Sequence, residues 1–251
     1  MKRSVVLWLG GAVLAVGAAA FAYVFYFAGG SGEPSTELTT PEVIASTTTS
    51  GASGTSSTVG DATSTTGSQA GTNQFVIDPE QSTASFSIDE VLRGSPNTVV
   101  GTTDQVAGQV VVDPNDLSTA QFSPIVVNAR TFATDSGQRD RLIRGPVILN
   151  SASDEFELIT FTPTSVDGLT GGAVVGDTYE FQVTGDLTIR GVTQTATFDV
   201  SVEMVDASTI AGTATTEVLR SDFEIGIPNV PSVADVTDEV GLTLDFVAVS
   251  A

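Results

Sequence analysis

The chain has 251 residues and a net charge of −21, from 30 acidic against 9 basic side chains, so its surface repels phosphate backbones and argues against nucleic acid as a partner. It contains neither histidine nor cysteine. That removes Ser-His-Asp and Cys-His nucleophilic arrangements, imidazole acid/base chemistry, His- or thiolate-held zinc, disulfides and a lipid-bearing cysteine.

Residues 1–4 carry Lys2 and Arg3, and residues 5–28 form an almost unbroken apolar run. As a helix the run would be about 36 Å long, enough to cross a hydrocarbon core of about 30 Å. The competing reading is a cleaved signal peptide, for which Ala18-Ala19-Ala20 or Ala20-Phe21-Ala22 would serve as the small-residue site. The aromatic stretch Tyr23 to Phe27 continues past both sites and suits an interfacial belt, which favours an uncleaved signal anchor. Basic residues ahead of it then place the N-terminus in the cytoplasm and the rest of the chain outside, as a single-pass membrane protein with an extracytoplasmic C-terminal domain. Residues 29–73 are dominated by Ser, Thr, Gly and Ala and lack the branched and aromatic content that offsets ordering entropy, so the sequence predicts a disordered tether. Its root-mean-square reach would be roughly 35–40 Å.

Residues 74–251 read as short strands separated by turn signals, in a domain of about 175 residues that can bury roughly 70% of its unfolded surface. Ala84, Phe86 and Ile88 alternate with polar residues, and Val110 and Val112 run up to the turn Asp113-Pro114-Asn115-Asp116. Further strands are predicted at 122–127 and 157–161. Residues 134–149 mix arginine and apolar residues at near-helical spacing, which predicts a short helix or turn crossing one end. The clearest signal is 179–204: Tyr179, Phe181, Val183, Leu187 and Ile189 share one face of a strand. After Arg190-Gly191 a second strand repeats the pattern with Val192, Ala196, Phe198, Val200, Val202 and Met204. Strands at 210–218 and at Leu242, Leu244, Phe246 and Ala248 close the chain. The predicted fold class is all-β: an antiparallel barrel of about eight strands with a short helix, preceded by one transmembrane helix.

The run Gly185-Asp186-Leu187-Thr188-Ile189-Arg190-Gly191-Val192-Thr193 resembles the signature hairpin of the YceI-like lipid/polyisoprenoid-binding family. Five further pieces follow in the family's order: Ile77-Asp78 with Ser82 and Phe86; Gly108 with Asp113; Thr134 with Arg139-Asp140; Ile159-Thr160-Phe161; and Arg220-Ser221-Asp222-Phe223. The resemblance covers roughly residues 75 to 249. It implies an elongated lipocalin-like barrel whose apolar lumen takes up a long isoprenoid chain without catalysis. The sequence departs from the family pattern at Glu90, where a histidine is usual, at Arg139-Asp140-Arg141-Leu142-Ile143, where Arg-Asp-x-His-Leu is usual, at Glu224, where glycine is usual, and near Glu157.

An inward apolar face is either a packed core or a ligand lumen, and an eight-stranded barrel stands at the size where both occur. The residues assigned to the lumen are Phe86, Ile88, Val110, Val112, Phe161, Phe181, Val183, Leu187, Ile189, Phe198, Val200, Phe223, Leu244 and Phe246. Arg139 and Asp140, near Arg130, Arg141 and Arg144, together with Arg220 and Asp222, read as a rim meeting a polar headgroup or as salt-bridged turns. The acid pairs Asp154/Glu155 and Asp238/Glu239 lack calcium-loop spacing, and no catalytic residue or metal site is assigned. No cofactor is expected beyond a bound isoprenoid or quinone-like lipid. The expected partners are that lipid, the membrane through residues 5–28, and a second copy in a homodimer. The function expected is that of a membrane-tethered carrier or store for a long-chain lipid. The alternative is a tethered interaction or structural module in the cell envelope, with a solid barrel.

Overall fold

The computed structural model describes residues 38–43 and 71–251. The apolar run 5–28 and most of the Ser/Thr-rich stretch lie outside the described residues. Among the described residues no helix is long and apolar enough to cross a membrane. The Pro41 carbonyl accepts a hydrogen bond from Gln109 Nε2 at 2.8 Å, so part of the preceding stretch rests on the domain.

Thirteen antiparallel strands form one strongly curled sheet. In chain order they are β1 (Asn73–Ile77), β2 (Thr83–Leu92), β3 (Ser95–Thr103), β4 (Val106–Ala107), β5 (Gln109–Asp113), β6 (Asp116–Phe122), β7 (Ile125–Asn128), β8 (Leu158–Asp167), β9 (Thr178–Ile189), β10 (Val192–Asp206), β11 (Thr209–Leu219), β12 (Val233–Ala234) and β13 (Glu239–Ser250). A short helix, α1 (Gly137–Arg144), and four 3-10 turns complete the described fold. The all-β reading and the short helix near 134–149 both hold. The strands outnumber the expected eight because long runs are broken where the backbone cannot continue a ladder. Pro79 starts a 3-10 turn between β1 and β2, Pro124 has no N–H to donate between β6 and β7, and the Ile125 side chain packs against the backbone at Gly108, between β4 and β5. A Cβ at Gly108 would stand 2.3 Å from Ile125 Cδ1.

The longest ladders are those that alternation made plain. β9 and β10 pair from Ile189 opposite Val192 down to Thr178 opposite Glu203. Their turn, Arg190-Gly191, has φ of 52° and 77° at its two central residues, the primed geometry that suits the right-handed twist of the flanking strands. Arg190 holds that strained conformation by donating through Nη1 to the carbonyls of Val147, at 3.1 Å, and Ile148, at 3.3 Å. The outer face of these strands is wet: Thr188 bonds Thr193, Thr184 bonds Thr197 and Gln182 bonds Asp199, each at 2.8 Å.

One bent run, β4 to β5, joins two parts of the curled sheet. β4 pairs β7, while β5, one residue beyond Gly108, pairs β1 on one side and β6 on the other. β13 in turn pairs β11 on one side and both β1 and β2 on the other. The apolar faces of all these strands therefore look into a common interior.

Candidate functional site

Curling puts alternate residues of each strand inside, and that interior is not wholly filled. A cavity of about 240 Å³ runs within the sheet, walled almost wholly by apolar side chains. A void of about 150 Å³ is enough to take up a benzene-sized molecule, so this one exceeds a packing defect. Of the residues assigned to a lumen from sequence, Val110, Val112, Phe161, Phe181, Val183, Leu187, Ile189, Phe198, Val200, Leu244 and Phe246 line it. The rings of Phe161 and Phe198 meet edge to face with centroids 4.8 Å apart.

Three assigned residues stand elsewhere. Phe223, 1% exposed, belongs to the packed end cluster, because the 3-10 turn Arg220–Phe223 tucks it under the strand ends. Phe86 packs edge to face on Phe132, with centroids 5.3 Å apart, and lies over Gly101, where any Cβ would stand 2.2 Å from its ring. Ile88 sits further along β2 toward the same end, half-buried opposite Val99. Sequence reading assigned no lumen role to Phe75, Ile77, Leu117, Phe122 or Phe132, which also line the cavity. β1 and β6 are too short or too interrupted to show a clear period of two. The only available signal for Phe75 and Ile77 was their spacing.

The two ends of the interior differ. At the α1 end, Phe132, Ile143, Leu149 and Phe223 pack with Leu187, Ile189 and Ala196 into a solid cluster that closes it. At the other end the wall is Asn73, Pro114, Leu117, Tyr179, Met204 and Ile210, with Leu169 and Ala173 from the β8–β9 loop. That loop, residues 168–177, is strapped across the end by backbone bonds. Leu117 N donates to Gly171 O, Ala173 N to Pro114 O and Gly176 N to Met204 O, each at 2.8 Å. The Tyr179 hydroxyl accepts from Val174 N at 2.8 Å and donates to Gly172 O at 3.0 Å.

Of the arginines near the expected rim, Arg130, Arg139 and Arg144 hold structure at the α1 end, while Arg141 is exposed. Arg139 pairs with Asp135 and, at 3.4 Å, with Glu90, while Asp140 accepts from the Thr134 backbone N–H at 2.8 Å and hydroxyl at 2.7 Å. Arg144 donates to Phe132 O at 2.7 Å. Arg130 is 4% exposed and lies in a buried network: Nη1 reaches Glu157 Oε2 at 2.9 Å, Nε reaches Ser151 O, and Asn128 Nδ2 donates to Glu157 Oε1 at 2.9 Å. Glu90, 8% exposed, accepts from Asn97 Nδ2 at 3.0 Å as well as from Arg139. Glu224 adopts φ of 55°, the left-handed conformation that glycine takes without steric cost, which accounts for the glycine usual there. Among the described residues no group of three or more acidic side chains is placed to hold a metal ion.

Arg220 and Asp222 likewise belong to a turn. Arg220 Nε donates to Thr237 O at 2.9 Å, Nη1 donates to Ile225 O at 3.0 Å, and Asp222 offers its backbone carbonyl to Gln194 at 2.8 Å. The Ser221 hydroxyl, 2.5 Å from Asp238 Oδ2, lowers the Asp238 carboxyl below its ordinary 3.8 against a weaker desolvation effect. The Ser221 N–H and the charge on Arg220 act in the same direction. A carboxyl lowered in the folded state adds stability above its unfolded pKa and loses it as pH falls through the folded value. Asp238→Asn is therefore expected to be less stable than the parent at pH 7, with the gap narrowing below about pH 4. Thermal melts at both pH values check this, and a gap that widens in acid would contradict it.

This geometry defines a class: an all-β protein whose curled antiparallel sheet carries an apolar cavity on its inner face. Within that class the chain belongs to the YceI-like domain family, whose model matches residues 75–248. A UPF0312 protein of Staphylococcus aureus strain MSSA476 is 29% identical over 145 residues, covering 58% of this chain and 74% of that protein. Two solved structures share the fold. One is BcnA of Burkholderia cenocepacia, with a TM-score of 0.53 and 21% identity, covering 68% of this chain and 98% of that one. The other is a polyisoprenoid binding domain from Saccharophagus degradans implicated in plant cell wall breakdown, with a TM-score of 0.54 and 15% identity, covering 70% and 98%.

Proposed function

We propose that this protein holds an isoprenoid or another long-chain lipid in the interior of an eight-armed, lipocalin-like barrel, as a carrier or store and without catalysis. The observation that carries the reading is the apolar cavity of about 240 Å³, whose wall offers little but hydrocarbon and aromatic surface. Each methylene of a ligand moved from water into such a site contributes about 0.8 kcal/mol, so a long chain is held without specific polar contacts. The ladder order supports the barrel: with β1/β2, β3 to β5 and β6/β7 taken as single bent arms, each of eight arms pairs with the next. The polyisoprenoid-binding relative from Saccharophagus degradans supports the ligand class. The absence of histidine and cysteine from the whole chain supports a binding role over an enzymatic one. The apolar run 5–28 behind two basic residues supports tethering at the outer side of a membrane.

Native mass spectrometry of the full chain purified from cells, followed by solvent extraction, tests the reading. A stoichiometric hydrophobic adduct of isoprenoid mass is the expected result. A bare protein that also refuses polyprenyl and quinone probes would overturn it and leave the solid interaction module.

A further inference from the structure

The end of the interior away from α1 is spanned by a loop that exposes apolar side chains. Val174 and Val175, at the tip of the 168–177 loop, are 52% and 57% exposed, more than any other large apolar residue among those described. Val205, 45% exposed, stands beside them, because Gly176 N is bonded to Met204 O. Residues 168–176 contain no charge, in a chain whose net charge is −21. The same loop supplies Leu169 and Ala173 to the cavity wall, so its inner side touches the cavity while its tip faces outward.

Where the chain joins the domain is an independent observation. Asn73, the first residue of β1, lines this same end of the cavity. The preceding sequence leads back through residues 29–72 to the 24-residue apolar run 5–28. The domain's N-terminal entry point and the loop tip therefore lie at the same end of the sheet.

Resting on the lipid-binding reading, we propose that the 168–177 loop docks on a lipid bilayer through Val174 and Val175 and passes the ligand between membrane and cavity. Exposed valines on a neutral, strapped loop insert into an interface at little desolvation cost, because Tyr179 and the β5–β6 turn already take up the loop's polar backbone groups. Asp167 and Asp177 flank the loop in sequence, Glu203 faces Thr178 in the β9–β10 ladder and Asp206 follows Val205, and all four would be repelled by anionic headgroups, so the surface suits zwitterionic or neutral lipid.

The absence of native cysteine makes the test clean. Full-length protein carrying Val175→Cys or, at the closed-end β2–β3 hairpin, Ser95→Cys is labelled with an environment-sensitive fluorophore and reconstituted into phosphatidylcholine vesicles containing spin-labelled phosphatidylcholine. Strong quenching at position 175 and little at 95 is expected. Equal quenching at both, or none at 175, would overturn the proposal, as would concentration-dependent dimerisation that shields 175 without lipid.

In a second arm, the double variant Val174→Asp/Val175→Asp is expected to take up a polyprenyl probe from vesicles about tenfold more slowly than the parent while matching it from detergent micelles. Equal rates from vesicles would also overturn the docking role. A parent protein that takes up no probe from either source would instead sink the lipid-carrier reading, and the quenching result would still decide the membrane contact.

Discussion

Replacing Arg130 with alanine is expected to lower stability by about 3–5 kcal/mol, the range for breaking a buried ion pair by removing one partner. The loss exceeds that of a surface pair because Arg130 and Glu157 are 4% and 7% exposed, so the remaining carboxylate cannot recover water. The network also ties together parts of the chain far apart in sequence. Arg130 donates to the carbonyls of Ser151 and Ala152, its own N–H is held by Asn128 Oδ1 at 2.9 Å, and Ala129 N donates to Glu157 O at 2.7 Å. The variant should melt about 10 °C lower or more. Joint replacement by apolar residues, Arg130→Met with Glu157→Leu, should recover a large part of that loss, since no charge is then left buried alone. A single variant melting within about 2 °C of the parent would show that the network contributes little.

The second large effect concerns the cavity. Ala214 on β11 stands opposite Val200 of β10 and Leu244 of β13, and all three line the interior. Ala214→Phe puts a ring where a ligand chain would lie. Displacing three or four methylenes of that chain costs about 2.4–3.2 kcal/mol, which weakens binding roughly 60- to 200-fold. The melting temperature should stay level or rise, because the ring enters existing space. Had the interior been solid, the same substitution would overpack it and destabilise the fold by about 1–3 kcal/mol. Calorimetry together with probe titration separates the two cases in one variant.

Much of this was legible in the sequence where a strand has one dry and one wet face. β9, β10 and β13 are long, so their inward residues are read directly, and the cavity wall contains them except Val192 and Ala196, which join the packed end cluster. β1 and β3 went unread, the first because five residues show too little period, the second because Ser95, Pro96 and Asn97 open it with polar residues. Phe86 and Phe223 were assigned correctly to the inside but not to the cavity, since alternation gives a face and not a depth along the axis. The arginine cluster illustrates the opposite limit. Four arginines within fifteen residues fit a headgroup rim and salt-bridged turns alike, and the partners that bury Arg130, namely Asn128, Ser151 and Glu157, lie up to 27 residues away, where no local pattern announces them.

The plug formed by Phe132, Ile143, Leu149 and Phe223 has a consequence for which molecules fit. Tyr179 near the mouth and Ile189 near the plug both face the cavity, ten residues apart on one strand. At about 3.3 Å per residue and a tilt of about 40°, the axial depth is roughly 25 Å. A pocket with a floor acts as a ruler. A chain up to that length gains with every added carbon, whereas a longer one leaves its surplus outside, so the distance from floor to mouth discriminates among otherwise identical hydrocarbons by length alone.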